Sequence, residues 1–284
     1  MVVVSPHHIE LIKLQTPRIF RGSQSMKQRE FVLVHGVCHG AWCWFHVKHR
    51  LESAGHRVTS LNLAGAGTDT RSIYDVHSFR EYNEPLLEFM ASLEPPEKVI
   101  LVGHSLGGMS LALAADKFPD KILAAVFLTA LMPDTTHQPS HVLKQFRSSI
   151  PEKEWLDTQF KAFGKPGKML TSFFFGPEFL AARLYQLSPK EDMELAKIMM
   201  RPGSLFIEDL ATADKFTGEG YGSIARVYIV CKQDLVIPEE FQRRMMKNGG
   251  AQHVMEIDGA DHMPMFSEPQ KLCDCLLEVA AKYA

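Results

Sequence analysis

Cysteine is scarce: Cys38, Cys43, Cys231, Cys273 and Cys275 make an odd set of five with no C-x-x-C spacing. Neither a disulfide scaffold nor a structural zinc site is indicated, and a reducing compartment fits, with the cytoplasm as the expected location. Long apolar runs are also missing, since stretches such as Ala124 to Met132 fall well short of the roughly 20 residues that cross a bilayer. Neither sign of charge dominates. The 31 Lys and Arg against 33 Asp and Glu leave a net charge of -2, so no bulk field gathers nucleic acid or an anionic membrane. What remains, 284 residues with 45% hydrophobic and 23% charged side chains, is the composition of a soluble globular chain and excludes a disordered one.

Residues 1–29 stand apart. Val2-Val3-Val4 is broken by Ser5, Pro6 and two histidines, so no secretory signal is read there. Arg18, Arg21, Lys27 and Arg29 against Glu10 make the stretch basic and acid-poor. A plastid transit peptide shares that composition, but a disordered N-terminal extension is the commoner reading.

From Glu30 onward, short β-rich runs alternate with longer amphipathic stretches, as a mostly parallel, doubly wound α/β sheet requires. The predicted strands are Phe31 to His35, Arg57 to Leu63, Lys98 to Gly103, Ile122 to Thr129, Arg226 to Cys231 and His253 to Asp258. Helices are expected over Trp42 to Ala54, Phe79 to Leu93, Leu106 to Phe118, Pro238 to Lys247 and Pro269 to Tyr283. Between Pro133 and Gly222 no β-rich run is apparent, while aromatics collect in WLDTQF, MLTSFFFG and FLAARLYQL. An interval this long is no simple connection. It reads as a helical cap over residues 133–222, inserted into a core of residues 30–132 and 223–284.

The run KVILVGHSLGGMSLALAA sets G-x-S-x-G, at Gly103 to Gly107, between an apolar strand and an amphipathic helix. A strand turning directly into a helix strains the corner residue, and small neighbours two positions away avoid collision. Ser105 is then an exposed nucleophile above a helix N-terminus. A serine hydroxyl needs a base, and the base needs an orienting acid. Chain order in this architecture places both after the serine, on loops following later strands. His262, between the last strand and the final helix, is the expected base, whereas His253, His137, His141 and His104 read as surface or packing residues. Asp234 at the end of RVYIVCKQD is the expected acid and Asp134 its rival, while Asp258 and Asp261 are too close in sequence to His262. The oxyanion donors are the backbone amides of Leu106 and of Val37, which follows the turn at Gly36. His35 and His39 read as scaffolding that bonds backbone.

The segments HGVCHGAWCW, GHSLGGMSLALA, WLDTQF, RPGSLFIEDL, RVYIVC, IPEEFQ and GADHM resemble the plant methylesterases, which are similar to plant hydroxynitrile lyases. The likeness runs over residues 30–284. It implies an α/β-hydrolase fold, no metal and no cofactor, often a homodimer, and a triad of Ser105, Asp234 and His262. It further implies that Trp155 lines the acyl pocket, with Leu131 and Leu205 as wall residues. The implied substrates are methyl esters of small plant hormones or specialised metabolites. The lyases carry Thr at the position of Gly36, Glu-Ser-Cys at His104-Ser105-Leu106, and Lys at Met263, so ester hydrolysis is preferred over cyanohydrin cleavage. A non-turnover small-molecule receptor is the other reading. No cationic clamp is evident in the sequence, which suits a neutral ester.

Overall fold

A computed structural model describes residues 27–283, so most of the expected N-terminal extension lies outside the described residues. Six strands form one parallel sheet: β1 (Glu30–Val34), β2 (Arg57–Leu61), β3 (Val99–His104), β4 (Ile122–Leu128), β8 (Arg226–Cys231) and β9 (His253–Ile257). Their order is β2-β1-β3-β4-β8-β9. All six lie where the sequence pattern puts them, within a residue or two at each end.

Every residue of β3 is buried, as are nearly all those of β1 and β4, because helices cover both faces of the sheet. The order matters for function. From β1 the chain runs outward to β2, and from β3 it runs the opposite way through β4 to β9, so the order reverses between β1 and β3. The carboxyl ends of such a pair flank a crevice where ligands bind. Val37 follows β1 and Ser105 follows β3.

The helices differ from expectation in detail. The Phe79 to Leu93 stretch is two helices, Phe79–Tyr82 and Glu84–Ser92, broken at buried Asn83, whose side-chain amide donates to the Phe79 carbonyl at 2.7 Å. Pro85 stands in the first turn of the second helix, where its missing N–H costs nothing.

The cap requires a larger correction. Residues 133–222 are not all helical: beside helices such as Ser140–Ser149 and Lys190–Met199 lie β5 (Gln159–Lys165), β6 (Lys168–Phe174) and β7 (Gly203–Ser204), forming a three-stranded antiparallel sheet. The strands QFKAFGK and KMLTSFF hold a single β-branched residue between them and several lysines, so they carry little intrinsic strand signal. Their pairing comes from the turn between Lys165 and Lys168, where Gly167 takes a left-handed φ of +84°. Arg201 fastens the cap to the core by donating to the carbonyls of Gly67, Asp69 and Arg71.

Candidate active site

Ser105 occupies the corner between β3 and the helix Gly107–Lys117 with a φ of +54°, a left-handed conformation that is costly for a residue with a Cβ. The surroundings hold it there. Its N–H donates to the Leu128 carbonyl, and its own carbonyl accepts from Gly108 and Leu131. The neighbouring glycines leave no alternative: a Cβ on Gly103 would stand 2.6 Å from the Gly107 carbonyl oxygen, and one on Gly108 would stand 2.3 Å from that of Leu131.

The structure brings Ser105, His262 and Asp234 together although 157 and 28 residues separate the bonded pairs. The His262 Nε2 is 3.1 Å from the Ser105 Oγ, and its Nδ1 is 2.7 Å from the Asp234 Oδ2. A carboxylate can only accept, so Nδ1 carries the proton and Nε2 presents its lone pair to the serine hydroxyl. Asp234 is itself fully satisfied: Oδ1 accepts from the amides of Val236 and Ile237 at 2.7 and 2.9 Å, and Oδ2 also accepts from the Thr129 hydroxyl. Asp134, the rival acid, is engaged elsewhere. It accepts from the amides of Thr136 and His137 and pairs with the His137 ring. Asp261 holds the loop, accepting from the Met263 and Leu187 amides and the Ser188 hydroxyl.

The amides of Val37 and Leu106 donate to no acceptor among the described residues, and both residues flank the serine at the reversal of strand order. Gly36 makes this approach possible, because a Cβ there would lie 2.9 Å from both the Ser105 Cβ and the His104 Nδ1. Met263 is completely buried.

Three groups, Thr129, His104 and Tyr185, escape a reading of the sequence alone, whereas His39 bonds backbone as expected. Thr129 orients the acid. His104, expected to pack or face solvent, is buried and donates from Nε2 to the His262 carbonyl at 2.7 Å. His39 donates from Nδ1 to the Val37 carbonyl at 2.9 Å and accepts at Nε2 from the Tyr185 hydroxyl at 2.7 Å. Tyr185 belongs to the cap, so no spacing in the sequence connects it to Val37. Burial lowers the pKa of His39 to about 3 and that of His35 to about 4, and it pushes His104 well below the usual range. All three rings are therefore neutral near pH 7. His35 donates to the Gly36 carbonyl and accepts from the Leu63 amide, as a scaffold residue should.

Above Ser105 lies an apolar cavity lined by the expected Leu131, Trp155 and Leu205, joined by Phe146, Phe173, Phe175 and Val236. Only about 20 Å³ of it is open. No helix among the described residues is long and apolar enough to cross a membrane.

Residues 31–274 match the alpha/beta hydrolase family. Salicylic acid-binding protein 2 of Nicotiana tabacum is 57% identical over 255 residues, covering 90% of this chain and 98% of that protein. Methylesterase 1 of Arabidopsis thaliana is 54% identical over 262 residues, covering 92% and 99%. The crystal structure of polyneuridine aldehyde esterase superposes with a TM-score of 0.87 at 48% identity, covering 89% of this chain and all of the other. The chain belongs to the plant methylesterase family of α/β-hydrolases.

Proposed function

We propose that the protein is a serine carboxylesterase that hydrolyses methyl esters of small plant hormones or specialised metabolites. The observation that carries this reading is the hydrogen-bonded chain from Asp234 through His262 to Ser105, ending beneath an apolar cavity beside two amides with no acceptor. His262 takes the hydroxyl proton of Ser105, and the oxygen attacks the ester carbonyl. The resulting oxyanion is stabilised by the amides of Val37 and Leu106, each such donor being worth about 10²- to 10³-fold in rate. Methanol leaves with the proton from His262. Water, activated by the same imidazole, then releases the acid from the acyl-serine.

Trp155, Leu131 and Leu205 are the proposed walls of the acyl site. The relatives named as methylesterases and as polyneuridine aldehyde esterase support the choice of methyl esters. The same reading carries a homodimer and a cytoplasmic location. Cyanohydrin cleavage is disfavoured by two positions. Gly36 stands where the lyases carry threonine, and buried, uncharged Met263 stands where they carry the lysine that would meet a departing cyanide.

The test is a panel of methyl esters, including salicylate, jasmonate and indole-acetate, incubated with the purified protein and with Ser105→Ala, with free acid measured over many turnovers. Turnover by the native protein, reduced at least about 10⁴-fold in the variant, is expected. Tight binding of an ester without turnover would instead establish a receptor.

A further inference from the structure

We propose that a second chamber, directly outside the Ser105 cavity, is the distal half of the acyl site and takes the far end of an extended acyl group bearing a neutral hydrogen-bond acceptor, such as a ketone. This rests on the esterase reading above. The chamber has a volume of about 310 Å³ and is lined by Arg147, Trp155, Phe160, Phe173 and Leu205, among others. Trp155, Phe173 and Leu205 also line the Ser105 cavity, so these three side chains stand between the two spaces. The inner space of about 20 Å³ holds no more than a water molecule. An acyl group larger than that has to displace lining side chains, and moving the three shared ones opens the way to the outer chamber.

Two polar groups say what belongs there. The Trp155 Nε1 is buried with no hydrogen-bond partner, although it sits between the two spaces. An indole N–H left unmade in this way destabilises the free protein, and a ligand acceptor relieves it. Arg147 is half-buried, its guanidinium 4.7 Å from the centroid of the Trp155 ring and 5.1 Å from that of Phe160, and it forms no ion pair among the described residues. The guanidinium face lies over aromatic surface while its N–H donors, which bond nothing among the described residues, stay available. Glu208, whose carboxylate accepts from the Thr171 hydroxyl, lines the same chamber and balances the charge of Arg147. A neutral acceptor fits this balance better than a second carboxylate. The cationic group that the sequence did not reveal is thus present, at the far end of the site rather than beside the serine.

The test compares methyl octanoate with methyl 7-oxooctanoate, which differ by one acceptor at the far end, on the native protein, Arg147→Met and Trp155→Phe. The native enzyme is expected to favour the keto ester in kcat/KM by about tenfold, through KM, and each variant to lose several-fold of that preference. Arg147→Met alters a half-exposed helix position, so the comparison survives if Trp155→Phe folds poorly. The same pair of esters titrated calorimetrically onto Ser105→Ala reads the preference as a ratio of Kd values without turnover. A Kd preference that falls in Arg147→Met supports the outer chamber even if no ester is hydrolysed, in which case the esterase reading alone fails. Equal Kd values for the two esters, or a preference untouched by both variants, overturn the proposal.

Discussion

Thr129 shows how much a single side chain outside the proposed triad contributes. It follows β4 directly in a left-handed conformation, φ +35°, which is costly for a β-branched residue, and its buried hydroxyl donates to the Asp234 carboxylate. The strain is tolerated because the carboxylate, fully buried, would otherwise lack one of its four donors. Thr129→Val keeps the shape and removes that donor. We expect kcat to fall about tenfold with KM unchanged, and stability to fall by about 1 to 3 kcal/mol. Steady-state kinetics on any hydrolysed methyl ester, with a urea titration beside it, checks both; an unaltered kcat would show that Asp234 is held well enough by its backbone donors.

At the scale of elements, one strap of the cap governs two loops of the core. The π-helical turn Leu180–Leu184 delivers Tyr185 to His39, and His39 in turn holds the Val37 carbonyl. Two residues later, Leu187 and Ser188 donate to Asp261, whose other oxygen accepts from the amide of Met263, next to His262. The Val37 loop and the His262 loop are therefore positioned from the same strap. Burial raises the Tyr185 pKa well above its ordinary value, so the hydroxyl stays a donor throughout the working range. Tyr185→Phe removes the donor while leaving the ring stacked on Phe266. The expected result is a loss of about ten- to a hundredfold in kcat, because small misplacements of an oxyanion donor are costly, against only about 1 kcal/mol in unfolding free energy. A kcat equal to that of the native enzyme would mean that Val37 is held without the cap.

The whole molecule carries its own pH signature. His35, His39 and His104 are neutral in the folded state and titrate near pH 6.5 once the chain unfolds. Because their folded pKa values are depressed, the unfolded state binds more protons below that point. Stability is fully present above it and drains away as the pH falls towards 4 and 3. Three such protons correspond to a limiting slope of about 4 kcal/mol per pH unit. Asp261 and Asp192, whose pKa values burial raises, act in the opposite sense across the carboxylate range, while His56, Asp69 and Asp134, whose values are lowered, act in the same sense as the three histidines. Urea unfolding at a series of pH values from neutral downward should therefore give falling midpoints, with proton uptake on unfolding. A midpoint independent of pH over that interval would contradict the buried, neutral histidines.

Much of this protein is local, and the sequence by itself determined it. The six parallel strands, the elbow at Ser105 and the order of acid and base follow from apolar runs, glycine spacing and chain order, each a short-range signal. The expected wall residues Leu131, Trp155 and Leu205 also line the cavity. Tertiary structure decided what depends on distant partners. Asp134 and Asp234 both follow strands, and only the packing of the loops turned one towards His262 and the other towards His137. The cap strands carry charge and aromatics in place of β-branched residues, so they exist as strands through pairing rather than propensity. Thr129, His104 and Tyr185 lie 105, 158 and 146 residues from the groups they bond, and no periodicity reaches that far. A hydrogen bond in a buried site is fixed by where two backbones meet, which is a property of the folded chain.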